Sequence, residues 1–375
     1  MAIFPLLPLI GLLIGLACLV LVGFGLFWVV GWLLGIGVTT TFLAIGIGII
    51  AFSFLGRVLV LLLFARPGKD EPDAARSTET QTIERPDKTL LNVEFFGPVN
   101  AQPIILTHGW TANSTDWYYV KRSLGQHFRV ITWDLPGSSK SSVARDGNYR
   151  LERMAADLEA VLQLAQRPAI LVGHSMGGMI TLNFCKLFPQ LLGSKVAGLV
   201  LVDTTYINPV KTSTASGFVT AIQKPILAPA MHLIVWLWPL VWLQNWLMYF
   251  NGMAQLQQRF GSYCGSQTRG QLDHMSYLQT IVPPSVIGKQ MLAMFKHDTV
   301  QTLPRINVPT LIIVGDNDRG CIPQASQYMH TQIPKSEMVV IEHSGHVSMM
   351  EQNEQVNAAL NTFASKIAQE QKLLR

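Results

Sequence analysis

Of the 375 residues, 49% are hydrophobic and only 14% charged, against about a quarter charged in soluble domains, which excludes a chain that meets water along its whole length. The formal charge of +5 is modest for this length, and without a basic block or an aromatic-basic stripe no nucleic-acid partner is expected. Cys18, Cys185, Cys264 and Cys321 are scattered without metal-type spacing, which fits a reducing compartment.

The apolar excess sits at the start. From Ala2 to Gly56 no side chain carries a charge, Arg57 is the first that does, and a further apolar run separates it from Arg66. A membrane span needs about 20 apolar residues. Two therefore fit as a hairpin, near Leu6–Val30 and Thr41–Phe64, turning within "GWLLGIGVTTT" (Gly31–Thr41); a single long tilted span is the weaker alternative. Arg57 is expected near the end of the second span, its stem along lipid and its guanidinium among headgroups. The run lacks the basic start of a cleaved signal peptide and is far too long for one. Cys18 in "GLAC" is no lipoprotein site, because Gly15 stands where an aliphatic residue belongs. The segment reads as an anchor with the lipid bilayer as its partner, and Arg57, Arg66 and Lys69 favour a cytoplasmic location for the rest of the chain.

From Arg66 to Lys88 the sequence turns polar and rich in Pro, Asp, Glu and Thr, with neither helical nor strand period, and reads as a linker. Strands are expected beyond it at "LLNVEFF", "PIILTH", "RVITWD", "AILVGH", "AGLVLVD", "TLIIVGD" and "MVVIEH". Between them Leu151, Met154, Ala155, Leu158, Val161, Leu162 and Ala165 recur as one helical face, as do Val356, Ala359, Leu360, Phe363 and Ile367. This alternation implies an α/β class with a mostly parallel sheet covered on both faces. Between Tyr206 and about Val300 no strand is visible, so a helical cap over the strand ends is expected there. The domains are then an anchor over 1–65, a linker over 66–88, a core in two parts over 89–206 and 300–375, and a cap over 207–299.

"GHSMG" (Gly173–Gly177) follows a strand and leads into a helix, the context in which G-x-S-x-G lifts a serine to the top of a sheet. Ser175 is thus a candidate nucleophile. Its hydroxyl needs a base, and the base needs an acid to fix its tautomer. Downstream, "GDND" offers Asp316 and Asp318 at one strand end and "SGH" offers His346 at the next, in the chain order Ser, Asp, His.

Together these motifs resemble the α/β-hydrolase superfamily, of the kind with a cap between the sixth and seventh strands, over about Leu90 to Glu370. The resemblance implies Asp318 as the acid and His346 as the base, with Asp203 at the end of the sixth strand as the rival acid. It also implies an oxyanion hole from the amides of Met176, after the nucleophile, and Trp110, after "HG" in "LTHGW". His108 is then a structural hydrogen-bonding residue, and His343 belongs to the strand end. "WDLPGSSKSS" resembles the family's D-x-x-G-x-G-x-S turn at Asp134, Gly137 and Ser141, but Ser138 and Ser139 depart from it; a structural turn is the plainer reading.

Other constellations are weaker. His343 with His346, and Asp316 with Asp318, lack the further ligands of zinc or calcium sites, so no metal is expected. "GHSMGG" lacks the Lys-Ser/Thr of a phosphate loop, so no nucleotide or other cofactor is expected. Ile226–Phe250 is apolar enough for a third span, but one crossing there would part Ser175 from Asp318 and His346. Trp238, Trp242, Trp246 and Phe250 recur every fourth residue, as cap core or as a lipid-facing or acyl-binding surface. Arg269, Asp273 and His274, within polar Gly261–Tyr277, read as solvated rather than as a carboxylate site. The expectation is a membrane-anchored serine esterase of lipase type acting on a small-molecule or lipid-like ester. Thioester, amide, lactone or carbon-carbon cleavage on the same fold, and a non-turnover ligand-binding or signalling module, are the alternatives. Oligomeric state and substrate identity leave no mark in the sequence.

Overall fold

Aliphatic and β-branched runs bounded by polar turns form eight strands of one sheet in the computed structural model, which describes residues 6–373. They are β1 (Thr80–Glu84), β2 (Leu90–Phe96), β3 (Pro103–Thr107), β4 (Arg129–Trp133), β5 (Ala169–His174), β6 (Val196–Val202), β7 (Thr310–Gly315) and β8 (Ser336–Ile341). Their spatial order is β1-β2-β4-β3-β5-β6-β7-β8. β2 runs antiparallel to β1 and β4, and the remaining pairs are parallel. Residues 1–5 of the expected anchor and 374–375 of the expected core lie outside the described residues.

β1 corrects the reading of Arg66–Lys88 as a plain linker. Four of its five residues are exposed, so no apolar alternation marks it. The segment before it is strapped to the core. Tyr119 donates to the Asp70 carbonyl at 2.7 Å, and Arg76 reaches the buried carboxylates of Asp134 and Glu94 at 3.0 and 3.2 Å.

The helices in chain order are α1 (Leu7–Leu33), α2 (Thr40–Phe64), α3 (Tyr118–Leu124), α4 (Leu151–Leu162), α5 (Met176–Leu187), α6 (Ser216–Ile222), α7 (Ala228–Trp236), α8 (Trp238–Asn251), α9 (Met253–Gly261), α10 (Arg269–Ile281), α11 (Pro284–Met294), α12 (Pro323–Gln332), α13 (Ser348–Glu351) and α14 (Asn353–Leu373). Successive strand side chains point to opposite faces of a sheet. Ile105, Ile131, Leu171, Leu199 and Ile312 accordingly pack with α4, α5 and α12, while Ile104, Val130, Val172, Val200 and Ile313 pack with α3 and α14. Each such aliphatic side chain contributes about 1.5–3 kcal/mol when fully buried.

α6 to α11 fill the interval between β6 and β7, which are neighbours paired from Leu199↔Thr310 to Val202↔Ile313. A single antiparallel bridge, Ile207↔Asp298, closes the neck where this chain leaves and rejoins the sheet. Ser216–Trp236 is long and apolar enough to cross a membrane, but by length and composition only. One crossing there is excluded because β6 and β7 share a sheet.

α1 and α2 are also long and apolar enough to cross a membrane. At 1.5 Å per residue, the 27 residues of α1 extend about 40 Å, more than the roughly 30 Å of hydrocarbon in a bilayer. The turn between the helices is shorter than Gly31–Thr41, because α1 continues to Leu33 and Thr39 caps α2 by accepting from the Phe42 amide. A Cβ on Gly46 would stand 2.9 Å from the Gly25 carbonyl oxygen. Such close backbone approach is what small residues allow between two apolar helices.

The protein-facing half of the hairpin docks on the cap. Asn251 donates to Cys18 Sγ at 3.2 Å, Gln257 to the Leu7 carbonyl at 2.9 Å and Gln267 to the Phe64 carbonyl at 2.9 Å. Arg57, expected near the end of the second span, donates to the Tyr249 hydroxyl and stands 3.7 Å from Asp273 of the cap. The cap thus supplies its partners about two turns before α2 ends.

Candidate active site

β5 ends at His174 and α5 begins at Met176, so Ser175 alone turns the chain, at φ 51° and ψ −117°. A non-glycine residue held there is strained by about 1–3 kcal/mol and persists only where its surroundings fix it. The Ser175 amide donates to the Val202 carbonyl at 2.9 Å, and Thr204 donates to the Ser175 carbonyl at 2.6 Å. The flanking glycines are steric necessities. A Cβ on Gly173 would meet the Gly177 carbonyl oxygen at 2.4 Å, and one on Gly177 the Thr107 carbonyl oxygen at 2.2 Å.

The loops after β7 and β8 bring two more side chains to this turn. His346 Nε2 lies 2.9 Å from Ser175 Oγ, and His346 Nδ1 lies 3.0 and 2.9 Å from the two Asp318 oxygens. Asp318 Oδ1 also accepts from the Gly320 and Cys321 amides, at 2.7 and 3.0 Å. The carboxylate is thus aimed by backbone as well as by the ring. All three side chains are buried.

The rival acid is held by other partners. Asp203 accepts from the Gly315 amide at 2.9 Å, the Ser348 amide at 3.0 Å and the Ser348 hydroxyl at 2.6 Å. Burial and the Asp318 carboxylate push its pKa up to about 6. Asp316 stays at the loop surface and accepts from the Ser344 amide at 3.0 Å. His343 is exposed at φ 56°, shaping the end of β8.

The two residues expected as oxyanion donors border the serine. Met176 opens α5, within the first turn whose amides lack intrahelical partners and whose dipole favours negative charge. Gly109, just before Trp110, packs so closely that a Cβ on it would stand 3.4 Å from the Ser175 Cβ. The Trp110 indole donates to the Ile287 carbonyl at 3.1 Å, tying this loop to the cap. His108 faces away from the serine: its Nε2 accepts from the Leu135 amide at 3.0 Å and its Nδ1–H donates to the Gly109 carbonyl at 2.8 Å. Burial lowers its pKa, which suits this neutral tautomer. In the Asp134 turn, Ser141 donates to the Asp134 carbonyl at 2.5 Å and accepts from the Asn92 amide at 2.9 Å, a structural arrangement.

Two features escaped the sequence. His174, the variable residue of G-x-S-x-G, donates from Nε2 to the His346 carbonyl at 2.8 Å, and its Nδ1 stands 3.5 Å from buried Asp116, at the outer limit of a hydrogen bond. Burial opposes its charge, but Asp116, Asp203 and the His346 carbonyl outweigh that and raise its pKa. His174 therefore steadies the loop that carries His346. Second, the cavity over Ser175 and His346, about 110 Å³, is walled partly by Leu7, Gly11 and Leu12 of α1. About 10–15 Å³ by this measure holds a water, so there is room for a chain of several heavy atoms. No sequence signal distinguishes these α1 residues from their lipid-like neighbours.

Gly261–Tyr277 is less solvated than its composition suggests. His274 is buried with Nε2 3.2 Å from the Thr115 hydroxyl, and Asp273 accepts from Gln255 at 3.1 Å and Tyr249 at 3.3 Å. Packing of α10 beneath α8 and α9 accounts for the difference. In the tryptophan row, Trp238 and Phe250 are 40% and 37% exposed while Trp242 and Trp246 are half-buried. The row lies at the border of cap core and surface.

Residues 104–359 match the profile of the alpha/beta hydrolase family. The chain is 28% identical over 287 residues to AB hydrolase superfamily protein YisY of Bacillus subtilis, covering 76% of this chain and 98% of the relative. It is 25% identical over 276 residues to a pimeloyl-[acyl-carrier protein] methyl ester esterase of Vibrio cholerae, covering 71% and 95%. Among solved structures it is similar to a thermophilic esterase from Thermogutta terrifontis, with TM-score 0.62, 25% identity, and coverage of 78% of this chain and 100% of the other.

Proposed function

The chain belongs to the alpha/beta hydrolase family, and from that premise we propose a membrane-anchored serine hydrolase that cleaves carboxylic esters with an acyl or lipid-like acid part. The observation that carries the reading is the relay of Ser175, His346 and Asp318 at 2.9 Å per step beneath an apolar cavity. Esterase relatives support the ester preference.

In this reading Ser175 Oγ bonds to the ester carbonyl carbon as its proton passes to His346 Nε2. The carbonyl oxygen takes the negative charge and is held by the amides of Met176 and Trp110. Collapse breaks the bond to the alcohol, which leaves with the proton from His346. Water then gives its proton to His346 while its oxygen attacks the acyl carbon; the bond to Ser175 Oγ breaks, Oγ takes the proton back from His346, and the acid is released. Asp318 keeps Nδ1–H directed away from the serine, so Nε2 stays the acceptor. The anchor over 1–65 spans the bilayer twice, the strap over 66–88 leads into a core of 89–206 and 300–375, and the cap is 207–299. Arg57, Arg66 and Lys69 favour the cytoplasmic side for the core.

A fluorophosphonate should label the purified protein on Ser175. Labelling that persists undiminished in Ser175→Ala would overturn the assignment.

A further inference from the structure

We propose that α1 is not only an anchor but the acyl-chain wall of the active site, so that the substrate is an ester of a bilayer-resident fatty-acyl lipid whose chain lies along α1. This rests on the serine-hydrolase reading of Ser175 and names the substrate class for that same site.

The cavity that exposes Ser175 and His346 is closed on one side by Leu7, Gly11 and Leu12, and on another by Val241 and Met248 of α8. α1 is fixed in that position. Its Leu7 carbonyl accepts from Gln257, Leu7 packs so tightly on Gly261 that a Cβ there would meet it at 2.8 Å, and a Cβ on Gly15 would stand 3.0 Å from the Gln244 side chain.

Neighbouring residues of the same turn look in opposite directions. Leu12 lines the cavity, while Leu13 is 59% exposed among the apolar residues of the hairpin. α8 repeats the pattern: Val241 and Met248 are buried on the cavity side, and Leu240 and Leu243 are 43% and 58% exposed outside. One helix, about 10–12 Å across with its side chains, therefore separates the serine from the surface that α1 presents to lipid. Both sides of that partition are largely apolar. A chain that leaves the bilayer beside α1 exchanges one largely apolar surface for another, whereas a route through water would expose its methylenes to solvent.

The test uses the full chain in phosphatidylcholine vesicles and a long-chain alkyl fluorophosphonate that carries a diazirine on its alkyl chain. After reaction, the vesicles are irradiated and adducts mapped by peptide mass spectrometry. The expected result is phosphonylated Ser175 with carbene adducts within residues 7–12. Phosphonylated Ser175 with adducts confined to cap helices, and none in α1, overturns the inference and leaves the serine hydrolase standing. No modification of Ser175 by long or short probes sinks the serine reading and this inference with it. A second measurement compares long- and short-chain probes on Leu12→Trp. The rate ratio of long to short should fall by about tenfold or more, as for a filled hydrophobic pocket, and an unchanged ratio counts against the wall. Loss of both rates in that variant leaves the decision with the crosslinks in the unaltered protein.

Discussion

The sheet end that carries Ser175 and the helical layer that covers it are held by different forces. Ser175, Asp318 and His346 sit on three loops pinned by hydrogen bonds to the Val202 and Ser262 carbonyls and from the Gly320 and Cys321 amides. The cap and hairpin meet through apolar surfaces and glycine contacts, with a few isolated polar ties such as Gln257 to Leu7 and Asn251 to Cys18. Directional bonds fix atoms to fractions of an ångström, as proton transfer demands. Apolar packing fixes shape and tolerates different contents, as a pocket for a flexible chain demands. The two regions should therefore respond differently to substitution.

The largest effect should come from the sheet. Ser175→Ala is expected to lower kcat by roughly 10⁴–10⁶-fold with little change in KM, measured by ester hydrolysis with the cap and hairpin intact. Next, Asp318→Asn should cost about 10⁴-fold in kcat by allowing the wrong ring tautomer. Asp203→Asn should cost far less, because Asp203 serves Gly315 and Ser348 rather than His346. Equal losses from the two would exchange their roles.

A third prediction follows from Asp203. Its pKa is raised in the folded protein to about 6 from 3.8. Between those values the folded state binds more protons than the unfolded state, so this group's contribution to stability falls as pH rises through that window, by at most about 1.4 kcal/mol per pH unit. Thermal unfolding from pH 4 to 7 should show this slope, and Asp203→Asn should flatten it.

In the helical layer, Gly56→Leu places a side chain where even a Cβ would stand 2.5 Å from the Asn251 carbonyl oxygen. Overpacking of this kind costs about 1–3 kcal/mol. It should lower the melting temperature and loosen the hairpin, seen as faster proteolysis of residues 66–79, while sparing short-chain ester turnover more than long-chain. The smallest effect belongs to Arg57→Met. Its partner carboxylate and the guanidinium are both about a third exposed, so less than about 1 kcal/mol is expected, read as a slight shift in melting temperature.

The sheet was far more legible than the layer above it. Strands β2 to β7 are largely buried, hence written in aliphatic runs, β8 is partly buried, and the turns after β5, β7 and β8 carry the Ser, Asp and His of the candidate site. β1 escaped because an exposed edge strand has no apolar face to alternate. The relation of α1 to the serine escaped for the opposite reason: Leu7, Gly11 and Leu12 line a largely apolar cavity while their neighbours form an exposed apolar surface, so one composition serves both. His174 and Asp116 were hidden because a pairing between residues 58 positions apart leaves no periodic trace.

The neck between β6 and β7 has one more consequence. Adjacent parallel strands stand about 4.8 Å apart, so everything from Ile207 to Asp298 leaves and returns through an opening one strand wide. The sheet is nearly blind to how much chain hangs there, since closing a longer loop costs only about 0.6 kcal/mol per doubling. The layer above the serine can thus vary in length and content, save where the Ser262 carbonyl accepts from the His346 amide and Glu351 accepts from the Cys264, Gly265 and Ser266 amides. Lengthening the helices outside Ser262–Ser266 should leave the strand register unchanged.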